Sequence, residues 1–352
     1  MPITVGPITL YMGPDTVGGP DSLEAPIVDF IGAAQSELLV CVQELDHRPI
    51  ADALIAASRR GVRVRAIMEQ DYLREKNAPD PDSLGAQEVN RELLMRILRA
   101  GVDAKADFNP AIFHQKFMIR DRGAVLTGST NFTTTGVTKN LNHICVIHDV
   151  EVAREYGREF KQLRQGTFGA RSLLMPRKPL EGHVVGGIRI KPLFAPDHMP
   201  EMEFIKQMIK AVDRIDFAVF TFAQSSGIDD ALVNARQKGL AVNGVLDRRQ
   251  ANQKWASKDT LTEGGVTLHQ NRTGTGVRKI HHKLMVMDDG LTIVGSYNYT
   301  GPANLVNDEN IIVLGDLDLP DGADRDAQLA LGTYARTEIE RIIQHQSEPI
   351  PV

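Results

Sequence analysis

The chain carries one run of chemically loaded residues twice, and any fold it adopts must place both copies. His114-x-Lys116, Asp121 and Gly128-Ser129-x-Asn131 return as His281-x-Lys283, Asp288 and Gly295-Ser296-x-Asn298, with Lys, Asp and Gly lying 2, 7 and 14 residues past the His each time. A match held in register over so many positions is a duplication. In a strand the side chains alternate with a period of two, so each His and its Lys project from one face. One copy offers an imidazole and an ammonium. Two copies facing each other offer a nucleophile, an acid and a ring of donors for phosphoryl oxygens. A lone strand His is as readily a satisfied core residue, and the identical register of the two is what argues against that reading.

The duplication extends beyond the motifs. Ile50 to Val64 aligns with Ile228 to Val242 at an offset of 178, each copy reading as an amphipathic helix, a Gly (Gly61, Gly239) and a buried strand. The motifs are offset by 167, so the first copy holds 11 extra residues between Glu69 and His114. The Asn-Ala-Pro-Asp-Pro-Asp-Ser stretch at 77–83 is the expected insertion, a surface loop before a helix around Gln87 to Ala100. Each half alternates strands and helices, with the motif His expected inside a strand (Phe113 to Ile119, Ile280 to Met287). This predicts an α/β fold with helices on both sheet faces. The expected units are a first lobe at 1–165, a connector rich in Gly, Pro and basic residues at 166–186, and a second lobe at 187–352.

A chain of 352 residues is long enough for about two domains with cores of their own. No run approaches the roughly 20 apolar residues of a membrane-spanning helix. The start, Met-Pro-Ile-Thr-Val-Gly-Pro, lacks the basic and apolar segments of a signal peptide, so a cytoplasmic location is expected. Cys41 and Cys145 each sit in an apolar run and are expected to be reduced core thiols. The net charge of −5 gives no global sign of nucleic-acid binding, but Arg272, Arg278 and Lys279 crowd the approach to His281 and are candidate substrate contacts. There is no H-E-x-x-H, no paired Cys and no Ca²⁺-loop pattern, so neither metal nor cofactor is expected.

These residues resemble the H-x-K-x(4)-D signature of the phospholipase D superfamily, with its G-S-x-N tail in both copies. Asn140-Leu-Asn142 and Asn307-Asp-Glu309 fall where members often have N-x-E. The resemblance covers most of the chain. It implies two pseudo-twofold-related lobes, each a mixed β-sheet flanked by helices, with the active site at the lobe interface. It also implies metal-independent phosphodiester cleavage through a phosphohistidine. His114 and His281 would divide the roles of nucleophile and acid. Lys116, Lys283, Asn131 and Asn298 would hold the phosphoryl oxygens, helped by Ser129 and Ser296. Asp121 and Asp288, near the hairpin turns, are expected to be structural supports, and His282, facing away from His281, likewise.

Asn142 and Glu309 both lie 28 residues past their histidines, where the family often has a His-orienting residue. A carboxylate raises an imidazole's pKa far more than an amide does. The expectation is therefore that Glu309 serves His281 as the acid, leaving His114 the unprotonated nucleophile; alternatively, Asn142 only hydrogen-bonds a loop.

The superfamily includes phospholipases, lipid synthases, endonucleases and DNA-repair phosphodiesterases. The compact lobes and the basic cluster favour a nuclease acting on DNA or RNA, with Phe132, Tyr297, Tyr299 and Trp255 able to stack on bases. The alternative is a phospholipase D or phosphatidyltransferase, for which a long exposed apolar loop would be the discriminating feature. An idle phosphate-binding scaffold fits poorly with complete motifs in both halves.

Overall fold

Two sheets of one strand order account for the repeat. The computed structural model describes residues 1–73, 88–174, 177–179 and 181–351. In the first sheet the order is Ile3–Val5, Ile8–Gly13, Asn140–Ile147, Ala124–Gly128, Lys116–Arg120, Glu37–Val42, Arg63–Met68 and Asp103–Ala106. In the second it is His183–Val185, Ile188–Ala195, Glu309–Gly315, Leu291–Gly295, Lys283–Met287, Arg214–Val219, Ala241–Leu246 and Thr267–Asn271, with Ser347–Pro349 added at the far edge. The last three strands of each eight are parallel to one another and the rest are antiparallel neighbours, so both sheets are mixed.

Strand alternation divides the apolar side chains between three cores. Leu38, Val40 and Met118 face an outer core under helices Glu24–Gly32, Arg48–Arg59 and Glu88–Arg99. Met285, Met287 and Phe217 face the corresponding outer core of the second lobe. Cys41, Phe117 and Ile119 of one sheet and Leu284, Val286 and Ile312 of the other share a central core with helices Val150–Arg164 and Ala323–Gln346. Tyr156 joins the lobes, its ring meeting Phe117 and Phe194 edge-on, both at 5.0 Å between centroids. Phe→Ala at either contact removes about 3–5 kcal/mol and loosens the alignment of the two motifs. Cys41 and Cys145 are free and buried.

The histidines sit differently from the sequence expectation. The strands begin at Lys116 and Lys283, and each His lies in the connection just before. That connection is tied to the opposite lobe: the His114 amide donates to the Asp308 carbonyl at 2.9 Å and the His281 amide to the Leu141 carbonyl at 2.8 Å. Lys279–Ile280 even adds to the first sheet, pairing parallel with Asn140–Leu141. The connector is shorter than expected, because His183–Val185 already belongs to the second sheet and Gly169–Leu174 forms a 3-10 turn. The 77–83 insertion lies outside the described residues. The helix after it is Glu88–Arg99.

Candidate active site

Each motif Asp builds the floor of its own lobe. Asp121 accepts from the amides of Gln35, Ser36 and Glu37 and from the Ser36 hydroxyl, and Asp288 from the amides of Val212, Asp213 and Arg214. Burial would raise the Asp121 carboxyl, but these amides hold it at about 2. Both aspartates stand at positive φ, about +50°, in the hairpin turns, a conformation that Asp tolerates better than most residues. They support the hairpins and touch neither imidazole.

The glycines let the strands close. Gly128 and Gly295 have φ of +153° and +151°, and a Cβ at either would lie 2.2 Å from a carbonyl oxygen of the neighbouring strand, His143 or Asn310. That closeness puts Ser129 and Ser296 within reach of the residues opposite. The Ser129 hydroxyl donates to Asn142 Oδ1 at 2.8 Å, and the Ser296 hydroxyl to Glu309 Oε2 at 2.6 Å.

These acceptors serve the histidines of the other lobe. Glu309 Oε2 lies 2.7 Å from His114 Nδ1, and Asn142 Oδ1 lies 2.8 Å from His281 Nδ1. This corrects the expectation that Glu309 serves His281: the lobe interface, which no spacing within one copy reveals, exchanges the partners. Asn142 also does more than bond a loop. Its amide nitrogen donates to the carbonyls of Asn140 and Gly136, at 3.1 and 2.9 Å, so its oxygen must face His281. Each ring then carries its hydrogen on Nδ1 and leaves Nε2 for the substrate.

Burial holds both imidazoles well below their ordinary pKa, and the ammonium groups of Lys116 and Lys283 add to this. Burial also brings Lys116 down to about 7, against the pull of Glu309, Glu44 and Glu69, and carries Lys283 well below its usual range. It pushes Glu309 up to about 8, opposed by Lys116, Ser296, Lys283 and Asn307. Burial alone would favour the neutral acid, yet His114 and Ser296 both direct donors at Oε2, and the carboxylate is the form that this geometry fits.

The lysines point inward. Lys116 Nζ donates to the His114 carbonyl at 2.6 Å and to Gln43 Oε1 at 3.1 Å, and Lys283 Nζ to the His281 carbonyl at 2.8 Å. The Asn131 side-chain oxygen is buried and has no hydrogen-bond partner among the described residues, and that of Asn298 accepts from the Thr221 amide at 3.3 Å.

Of the basic candidates, Lys279 flanks the site, its ammonium 5.1 Å from the centre of the Phe220 ring, which also packs on His281. Arg278 is exposed beside it. Arg272 is turned away, donating to the His345 carbonyl at the end of the C-terminal helix. His282 is buried against His143 at 3.2 Å and lies 3.6 Å from Glu338, the structural place expected for it.

Sequence reasoning missed Glu69 and Asp247. Glu69 accepts from the Phe113 amide at 2.7 Å and Asp247 from the Ile280 amide at 3.2 Å, so each fixes the residue before a motif His. They stand 178 residues apart, the helix-repeat offset, which was the available signal. Gln43 and Phe220 carry no such signature. Among the described residues no group of three or more His, Cys, Asp or Glu is gathered as for a metal ion.

Two lobes of one topology, each supplying a His and a Lys and each orienting the other's imidazole, define a duplicated-motif protein whose site exists only between its halves. The chain belongs to the phospholipase D superfamily: the family profile described as cardiolipin synthase, PLD-like domain, matches residues 27–164 and 204–326. It is similar to mitochondrial cardiolipin hydrolase of Xenopus laevis, 33% identical over 137 residues, which are 39% of this chain and 58% of that protein. It is also similar to phospholipase D of Rickettsia felis, 31% identical over 130 residues, 37% of this chain and 58% of that protein. The chain thus spans little more than half the length of these curated relatives. Its fold matches that of phosphatidylserine synthase from Haemophilus influenzae Rd KW20, with a TM-score of 0.68 at 12% identity, covering 99% of this chain and 89% of that one.

Proposed function

We propose that the chain is a phosphodiesterase acting on phospholipids through a phosphohistidine on His114. The pairing of His114 Nδ1 with Glu309 across the lobes carries the mechanism. It fixes the tautomer whose Nε2 lone pair can attack, and it supports the positive charge that the ring acquires on attack. In the first step the Nε2–P bond forms and the P–O bond to the leaving alcohol breaks, with His281 Nε2–H giving its proton to the departing oxygen. In the second, neutral His281 takes a proton from water, the water oxygen bonds to phosphorus, and the P–N bond breaks. Lys116 and Lys283 hold the non-bridging oxygens as charge shifts onto them.

The phospholipid reading is supported by the similarity to a cardiolipin hydrolase and a phospholipase D. The nuclease expected from sequence loses part of its basis, because Phe132, Tyr297 and Tyr299 are buried and unavailable to bases, and Arg272 points elsewhere. Single- and double-stranded DNA, RNA and phosphatidylglycerol offered in parallel test the reading. Release of the lipid headgroup or of phosphatidic acid is the expected result. Cleavage of nucleic acid with lipid left intact overturns it.

A further inference from the structure

The site lies where the parallel strands of each sheet end, and the loops after those strands form its two rims. On the first-lobe side, Gln43 and Glu69 follow two of the strands directly, and the loop after the third, 107–112, runs into His114. On the second-lobe side, Phe220 and Asp247 do the same and the segment 272–278 completes the rim.

The two rims differ in chemistry at positions that the repeat makes equivalent. At the motif offset of 167, Ile112 answers to Lys279, Ala111 to Arg278 and Val306 to Lys139. The first rim is apolar and exposed where 107–112 passes: Phe108 is 73% exposed and Ile112 43%. It is also built. Asn109 Nδ2 donates to the Val306 carbonyl at 3.0 Å, the Asp308 amide to the Ile112 carbonyl at 3.0 Å, and the Phe108 ring lies 6.5 Å from Phe168 beside a hollow of about 330 Å³. The second rim is basic. Lys139, Arg249 and Arg278 are exposed and form no ion pair among the described residues.

Exposed apolar surface of this kind marks an interaction site. Unpaired cations across from it select an anionic partner, and the combination suits a membrane interface, where apolar side chains enter the acyl boundary and cations lie on the headgroups. We propose that this rim docks on an anionic phospholipid surface, with Phe108 and Ile112 entering the lipid and Arg249, Arg278 and Lys139 resting on its headgroups. The inference rests on the phospholipid reading and adds to it the surface from which substrate is drawn.

The test uses the full chain with phosphatidylcholine vesicles, with and without phosphatidylglycerol, alongside dihexanoyl phosphatidylglycerol kept monomeric. The parent should sediment with the anionic vesicles. The Phe108→Ser variant should bind them about tenfold more weakly or worse, while turning over monomeric lipid as the parent does. Arg249→Gln with Arg278→Gln should lose roughly fivefold per charge, on anionic vesicles only. Phe108→Trp keeps a large ring, and its emission, measured above the parent's Trp255 background, should move to shorter wavelength on those vesicles.

Turnover of monomeric lipid combined with unchanged vesicle binding by the serine variant, or an unshifted emission spectrum from the Phe108→Trp variant, overturns the docking surface and leaves the phospholipid reading standing. Failure to turn over monomeric lipid removes that reading, while the vesicle result still judges the surface. A parent dimer that the serine variant dissociates, with vesicle binding unchanged, makes the patch a contact between copies and also overturns the proposal.

Discussion

Glu309 of the second lobe and His114 of the first meet at 2.7 Å, and the Ser296 hydroxyl holds the same carboxylate oxygen at 2.6 Å. The mirrored pair, Asn142 with His281, is held in the same way by Ser129. The duplication has kept the geometry and changed one acceptor from amide to carboxylate. That single difference separates the two rings chemically: one is backed by a carboxylate, which in the proposed mechanism stabilises its positive state after attack, and the other by an amide.

Glu309→Gln should therefore slow formation of the covalent intermediate by about 10²- to 10⁴-fold, since the neutral amide gives less support to the ring and can present nitrogen instead of oxygen to Nδ1. The loss should persist with an acidic leaving group, because the defect is in the nucleophile. Single-turnover rates on a nitrophenyl phosphodiester check this, and a variant rate within a few-fold of the parent would sink the assignment.

The pH profile follows from His281. In the free protein, burial first and then Lys283, Lys116, His114 and Lys279 hold its pKa well below the ordinary value, so it is neutral at neutral pH. An acid must be protonated, and kcat/KM should rise as the pH falls below neutrality. A bound phosphodiester anion stabilises the imidazolium, so the basic limb of kcat should lie about one unit or more above that of kcat/KM. Coincident limbs in the two profiles contradict this. Asn142→Asp should carry the kcat/KM limb upward too. It would also cost about 1–3 kcal/mol of stability, because the amide donors to Gly136 and Asn140 are lost.

Asp121 makes a different kind of prediction. Asp121→Ala removes the acceptor of three amides and a hydroxyl and leaves a β-carbon residue at positive φ, costing about 2–4 kcal/mol. Asp121→Asn, which tolerates that backbone, should cost about half as much. The folded carboxyl stands at about 2 and an unfolded one at about 4. Its contribution is complete above about pH 4 and disappears as the pH falls through about 2. Thermal melts across that range should show parent and variants converging. Activity per folded molecule at neutral pH should be unchanged, and a specific loss there would place Asp121 in the chemistry.

Much of this was legible in the sequence because a duplication exposes its own register. Matched motifs located both histidines and both lysines, and alternating strands and helices located the layers. The exchange of Glu309 and Asn142 was not legible, because the residues that meet across a lobe interface are set by packing, which the central core of Tyr156, Phe117 and Phe194 decides. The placing of His114 before its strand was hidden for a related reason. Period-two alternation continues through a residue whose backbone amide has already been taken by Asp308 of the other lobe. Tyr297 and Tyr299, read as stacking platforms, are core residues packed on Phe204, and aromatic type alone does not separate the two.

Hydrolysis should survive excess EDTA. In the proposed mechanism two imidazoles and two ammonium groups supply the nucleophile, the acid and the charge compensation that a metal ion provides elsewhere. Initial rates before and after chelation decide it, and activity lost to EDTA and restored by Mg²⁺ would refute the mechanism.

The assignment of nucleophile and acid yields the sharpest contrast. His114→Ala should abolish cleavage and every covalent adduct, because His281 lacks a carboxylate behind it and its Nε2 carries the proton for the leaving group. His281→Ala should lose about 10²- to 10⁴-fold on an ordinary phosphodiester, the scale of general acid–base catalysis. With a nitrophenyl leaving group little protonation is needed, so this variant should still form the intermediate. It then lacks the base that activates water, and the adduct should accumulate on His114, visible by intact mass spectrometry and located by peptide mapping under alkaline conditions that spare phosphohistidine. Restoring a base in solution with added imidazole should discharge it. An adduct mapped to His281 in the parent protein would show that the roles are reversed, and would leave the carboxylate of Glu309 supporting the acid instead.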